Sequence, residues 1–105
     1  MSNDLAVAVP HPQPLVRFHF VIAPTRHVTT FYDLDVQEQR AIWGIIGESQ
    51  KRLAAEMDLL GIDIGFEDGA SEQDHARVHV VPRARGAQVA LPGGVEWVFS
   101  EAGTI

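Results

Sequence analysis

The chain has no cysteine, a single lysine (Lys51), and no apolar run near the ~20 residues that a membrane-spanning helix needs. Without cysteine there is no disulfide framework and no thiolate metal site. Net charge is −6, with no basic cluster, so a polyanion such as DNA would be repelled and nucleic-acid binding is not expected. The opening Met1-Ser2-Asn3-Asp4 carries no basic residue, so a secretory signal is not expected and a cytoplasmic location is the simplest reading. Bases are also missing between Asp63 and Asp74, where five acids fall (Asp63, Glu67, Asp68, Glu72, Asp74). That run reads as a solvated acidic turn, or as acids lining a site. What remains, 105 residues at 46% apolar content, suits one globular domain with a modest core.

The most informative stretch runs from His75 to Arg83. His75, Arg77 and His79 alternate with Ala76, Val78 and Val80. Alternation at period two predicts a strand with one buried face. Pro82, lacking an N–H, is expected to stop the ladder. Three nitrogen-rich side chains along one strand face suit a phosphate or another acid group.

Residues 1–14 read as an extended tail, since Pro10, Pro12 and Pro14 alternate; Leu5 to Val9 could add a short edge strand. No role falls to His11. Residues 15–105 read as the domain. Leu15 to Ile22 is predicted as a strand with Val16, Phe18, Phe20 and Ile22 inward and His19 on the other face. A turn with a short helical piece covers Val28 to Leu34. Asp35 then caps a helix, with Glu38 completing a capping box. Ile42, Ile45, Ile46, Leu53, Met57 and Leu60 recur at helical spacing, predicting a helix over about 36–59 with Gly61 as its stop. Trp43 falls at the edge of the apolar stripe. Ile62 to Phe66 reads as a strand that forms a hairpin with the His75 strand across Asp68-Gly69. After a turn at Pro92-Gly93-Gly94, Val95 to Phe99 is a last strand, with Val95, Trp97 and Phe99 sharing one face.

The expected fold class is α+β, one long helix on an antiparallel sheet. The sheet's other face collects Arg17, His19, Asp63, Glu67, His75, Arg77 and His79 from separate strands. Arginine supplies a planar fork of donors that stays charged, and histidines add donors tunable near neutrality. A metal held by His75 and His79 together is not expected. Four residues apart on a strand, their α-carbons are ~13 Å apart, whereas ligand atoms sit ~2 Å from a metal.

The run His75-Ala76-Arg77-Val78-His79-Val80-Val81-Pro82-Arg83 resembles the signature of the histidine triad (HIT) family, His-x-His-x-His followed by aliphatics and often Pro-Arg. The ending sets the register. His75 takes the first position, His79 the third, and Arg77 the middle one, where the family carries its nucleophile. His19 with Pro24-Thr25-Arg26-His27 resembles the family's strand bearing a fourth histidine and the turn after it. Thr30-Phe31-Tyr32-Asp33-Leu34, the strand Ile62 to Gly69, and Gly93-Gly94-Val95-Glu96-Trp97-Val98 are similar to its helix link, pre-triad strand and C-terminal strand. The resemblance spans roughly residues 15–99.

It implies nucleotide hydrolase or transferase ancestry, no cofactor, and a homodimer. In the family, the middle histidine attacks the α-phosphorus. A guanidinium has no free lone pair below pH ~12 and cannot do so. The expectation is therefore a domain that binds a phosphate-bearing ligand, such as a nucleotide, without covalent chemistry. By this resemblance His19, Asp63, Glu67, Gln73, Arg77 and His79 are the binding candidates, and His75, Arg77 and His79 the catalytic ones. Two alternatives stand beside it. One is an enzyme of altered chemistry, with His75 or His79 as acid or base and Arg77 as electrostatic clamp. The other is a non-catalytic dimeric interaction protein in which Glu67 and Arg77 merely satisfy each other across the hairpin.

Overall fold

The computed structural model describes residues 2–69, 75–86, 91, 93 and 95–101. Within these residues five strands form one sheet: Ala6–Pro10 (β1), Phe20–Pro24 (β2), Leu59–Glu67 (β3), Arg77–Ala84 (β4) and Glu96–Glu101 (β5). Their order is β1-β2-β4-β3-β5, with every neighbouring pair antiparallel. Among the described residues, one helix, Val36–Glu56 (α1), and a 3-10 turn at Phe31–Asp33 complete an α+β fold.

The core lies between helix and sheet. Ile42, Ile45, Ile46 and Leu53 of α1 meet Ile22, Ile62, Ile64, Val78 and Val80 from the three central strands. Each such side chain stabilises the fold by about 1.5–3 kcal/mol when fully buried. The start of α1 follows its sequence signal. Asp35 accepts the Glu38 N–H at 2.8 Å, and Glu38 accepts the Asp35 N–H at 3.1 Å. Glu38 is itself buried and receives Arg26 Nη2 at 2.7 Å, so its charge is matched and its carboxyl is held below the usual range, chiefly by that bond. The pair ties the end of β2 to the head of the helix.

Three boundaries differ from the periodicity. The helix stops at Glu56, where Met57 is already extended and its N–H closes on the Leu53 carbonyl. Leu59 and Leu60 belong to β3, and Gly61 lies within that strand beside a register irregularity, not at a helix end. Strand propensity and pairing with Ala84 win over the helical spacing of Met57 and Leu60. The predicted strand at Leu15 begins only at Phe20. Residues 11–19 are a loop with a turn closed by the His19 N–H on the Val16 carbonyl, and Phe18 within it has φ 68°. Residues Ala6 to Pro10, in the Pro-containing segment, pair with β2 as an edge strand, and Ala6 is fully buried. Finally, β4 runs through Pro82 to Ala84. The last rung to β2 is Phe20↔Val80, so at Pro82 the β2 side of β4 is an edge, where a missing N–H is tolerated. Among the described residues, no helix is long and apolar enough to cross a membrane.

Candidate functional site

With Val78 and Val80 buried under α1, strand alternation sends Arg77 and His79 to the opposite face. Across the ladder Glu67 stands opposite Arg77, and Gly65 opposite His79. The Arg77 Nε–H is donated to Glu67 Oε1, and His79 Nε2 lies 3.4 Å from the same oxygen. Burial alone would raise the Glu67 carboxyl, but the bonds and charges of Arg77 and His79 outweigh it and hold it below the usual range. The Arg77 side chain remains 45% exposed.

His19, just ahead of β2, is almost wholly buried at 4% exposure, and its Nε2 is 3.1 Å from His79 Nδ1. His11 stacks on His19, with ring centroids 4.4 Å apart and planes 10° apart. Backbone amides fix which nitrogens carry protons. The Gln13 N–H donates to His11 Nδ1 and the Leu15 N–H to His19 Nδ1, each at 3.0 Å. Neutral His19 must then carry its proton on Nε2 and donate it to His79 Nδ1, which leaves His79 with a proton on Nε2 facing Glu67. The result is a directed chain: Leu15 amide, His19, His79, Glu67. Burial, then the neighbouring His11 and His79, push His19 down to about 4. Burial also lowers His79, though Glu67 pulls the other way.

One nitrogen from each of His11, His19 and His79 lies within 4.8 Å of the other two. Distance alone would suit a cation, but the chemistry does not. An imidazole that ligates through Nε2 keeps its proton on Nδ1 and donates it outward. Here the Nδ1 atoms of His11 and His19 both accept from the backbone, so their outer nitrogens hold protons and have no lone pair to offer.

The remaining sequence candidates are dispersed. Asp63 is buried and bound to Arg83, whose Nε donates at 3.0 Å; burial raises its carboxyl despite that partner. It opposes Val81, not a histidine. His75 precedes β4, and its ring meets His27 edge-on at 4.8 Å. Its Nδ1 is buried with no hydrogen-bond partner among the described residues. Arg17 lies in the loop, stacked over Phe18. Gln73 lies outside the described residues.

Two residues absent from the sequence candidates belong to this face. His11 sat among prolines with no period to read, and only the loop's closure brings it onto His19. The strand alternation groups Trp97 with Val95 on one face without saying which face of the sheet that is, and both side chains lie over Gly65. Trp97 pairs with Gly65 in the β3–β5 ladder, its ring centroid 6.0 Å from that of His79. A Cβ at Gly65 would come within 2.6 Å of Val95 Cγ1 and 2.7 Å of Trp97 Cζ3. Glycine at that point is what lets the indole cover the strand beside His79.

A family model described as HIT domain matches residues 1–86. Among solved structures, a Hit-like protein involved in cell-cycle regulation from Bartonella henselae, determined with an unknown ligand, is similar with a TM-score of 0.59. Identity is 22%, over 89% of this chain and 73% of that one, so the likeness is one of fold. No curated protein matches the chain.

Proposed function

Because this chain belongs to the HIT domain family, we propose that its Arg77–His79 face binds a phosphate-bearing ligand, with nucleotides as the first class to test, and does so without a nucleotidyl-histidine intermediate. The observation that carries this reading is Arg77 itself. It occupies the position that the resemblance gives to the nucleophile, and its Nε is held by Glu67 while the side chain stays half exposed. A guanidinium cannot attack phosphorus, but its two terminal amino groups bring four further N–H donors in a fixed fork that matches phosphate oxygens. His79 adds the Nε2–H beside it, and His19 supports His79 from behind. Asp63, tied to Arg83, stays outside this binding set.

Charge bounds the affinity. Glu67 neutralises Arg77, and both buried histidines are neutral near pH 7, so the four groups sum to zero. A phosphate would gain directed hydrogen bonds but little net attraction.

One observation favours a second reading. His79 Nε2 sits 3.4 Å from the Glu67 carboxylate, the arrangement that orients an imidazole for acid–base work. On that reading the protein turns over a phosphate ester or another acid derivative, with His79 donating its Nε2 proton as the acid while His19 holds its Nδ1, and Arg77 clamping charge.

The test is calorimetric titration of AMP into the wild-type protein and Arg77→Ala at low salt. Saturable binding in the wild type that is lost in the variant supports the proposal. No heat in either protein removes the nucleotide reading and leaves an enzyme acting on a non-nucleotide substrate or an interaction domain. Turnover of bound ligand with no covalent adduct by mass spectrometry would move the case to the acid–base reading.

A further inference from the structure

The loop between β1 and β2 is fastened by imidazole lone pairs. His11 Nδ1 takes the Gln13 N–H, His19 Nδ1 takes the Leu15 N–H, and His79 Nδ1 takes the proton of His19 Nε2. Each ring in the cluster has one lone pair, and all three are in use. No proton can therefore be added to any of these rings without displacing a hydrogen bond that holds the loop. Protonating His79 at Nδ1 sets it against the Nε2–H of His19. If His19 gives way by moving its proton to Nδ1, that proton meets the Leu15 N–H. The disturbance is thus passed along the chain to the backbone.

The same loop is held under strain. Phe18 has φ 68°, a left-handed conformation that costs an aromatic residue free energy and persists only while its surroundings impose it. The loop also walls a cavity of about 680 Å³ that runs from β1 to the C-terminal half of α1, with Ala8, Phe20 and Leu53 among its apolar lining.

We propose that protonation of the His11–His19–His79 cluster releases residues 11–19, so that the loop is an acid-opened strap across this cavity and the Nδ1 side of His79. The charges around the cluster set its range. Glu67 on β3 favours a proton on His79, while Arg77 on β4 opposes it. Arg17 lies on the loop itself, and Arg52 and Glu56 of α1 line the cavity. Trp97 of β5 covers His79 without contributing charge. Burial holds His19 neutral through the ordinary range of cell pH, so release belongs to acid conditions. The device needs no ligand and does not rest on the proposed phosphate site.

The experiment is hydrogen exchange by NMR between pH 7.5 and 4, corrected for intrinsic rates, with imidazole nitrogen shifts recorded alongside. At pH 7.5 the Nδ1 atoms of His11 and His19 should be unprotonated. On acidification the protection of the Gln13 and Leu15 amides should fall by about tenfold or more while Val80 stays protected. In His19→Asn the side-chain oxygen stands where Nδ1 stood and does not titrate, so the Leu15 amide should stay protected. The proposal fails if either ring carries its proton on Nδ1 at pH 7.5. It also fails if the loop amides keep their protection to pH 4 or lose it only together with Val80, or if the Leu15 amide loses it equally in His19→Asn. The nitrogen shifts decide the matter in the wild type alone should the variant not fold.

Discussion

Glu67 stands directly across the β3–β4 ladder from Arg77, and its carboxylate takes the arginine's Nε–H. The pair aims the guanidinium but also cancels its charge. Changing Glu67 to Gln keeps an acceptor and removes the charge. A phosphate then meets an uncompensated cation, and AMP should bind roughly tenfold more tightly at low salt, with the gain shrinking as salt rises. Stability should fall by no more than about 1 kcal/mol, because the pair is partly exposed. Weaker AMP binding in this variant would show that Glu67 serves the ligand directly and would sink the charge argument.

Stability should depend on pH with a sign fixed by the buried histidines. His19 is held down to about 4, against 6.5 when unfolded. Between those values the unfolded chain binds more protons, so stability is fully present above pH 6.5 and is lost as pH falls toward 4. The shift is worth up to about 3 kcal/mol. His79, also lowered, acts in the same direction. Glu67, lowered below 4.5, adds a further loss once the pH passes beneath that value. Asp63 opposes them. Its carboxyl is raised above 3.8, so it favours the folded state when protonated and returns some stability at the acid end. Urea unfolding at pH 7.5, 5.5 and 4.5 should show a falling midpoint, and the fall should be shallower in His19→Asn. An equal slope in the two proteins would remove His19 from the account.

These groups were unequally legible in the sequence. The β3–β4 hairpin was readable because alternation has a fixed period, and the Glu67–Arg77 pair followed from it as a named alternative. The capping box of Asp35 and Glu38 was readable because it is local. His11 was not, since its position depends on a loop closed by backbone amides on imidazole nitrogens, which leaves no periodic trace. His75 obeys the alternation yet lies ahead of β4, where the Ala76 N–H is drawn to the Val28 carbonyl. Alternation along Val95 to Phe99 groups Trp97 with Val95, as found, but does not say which face of the sheet the group takes. The register of β5 against Gly65 decides that face, and register between distant strands is not written in either strand alone.

Gly65 makes this point testable. Its missing side chain is the space the Trp97 indole occupies. Gly65→Ala should displace the ring from His79 and cost about 1–3 kcal/mol from overpacking. In a Trp43→Phe background, Trp97 is the only indole, so its emission should shift to the red as it lifts into water. Far-UV circular dichroism should be unchanged. Unaltered emission together with an unaltered melting temperature would mean that the indole does not lie on Gly65 in solution.

The sharpest test of ancestry is Arg77→His. If the middle position lost only its nucleophile, an imidazole there regains a lone pair and stands across from Glu67, which can accept its other ring proton. The variant should then hydrolyse an adenosine phosphoramidate that the wild type leaves intact, and a quench without acid should trap an adenylylated protein. Glu67 works against this, because a carboxylate beside the phosphate raises the barrier. Glu67→Gln with Arg77→His should therefore exceed the single variant in hydrolysis. If neither variant gains activity while both still bind AMP, the phosphate contact has survived and the geometry for in-line attack has been lost elsewhere in the face. The candidates are then His75, drawn off toward His27, and the indole of Trp97 beside His79.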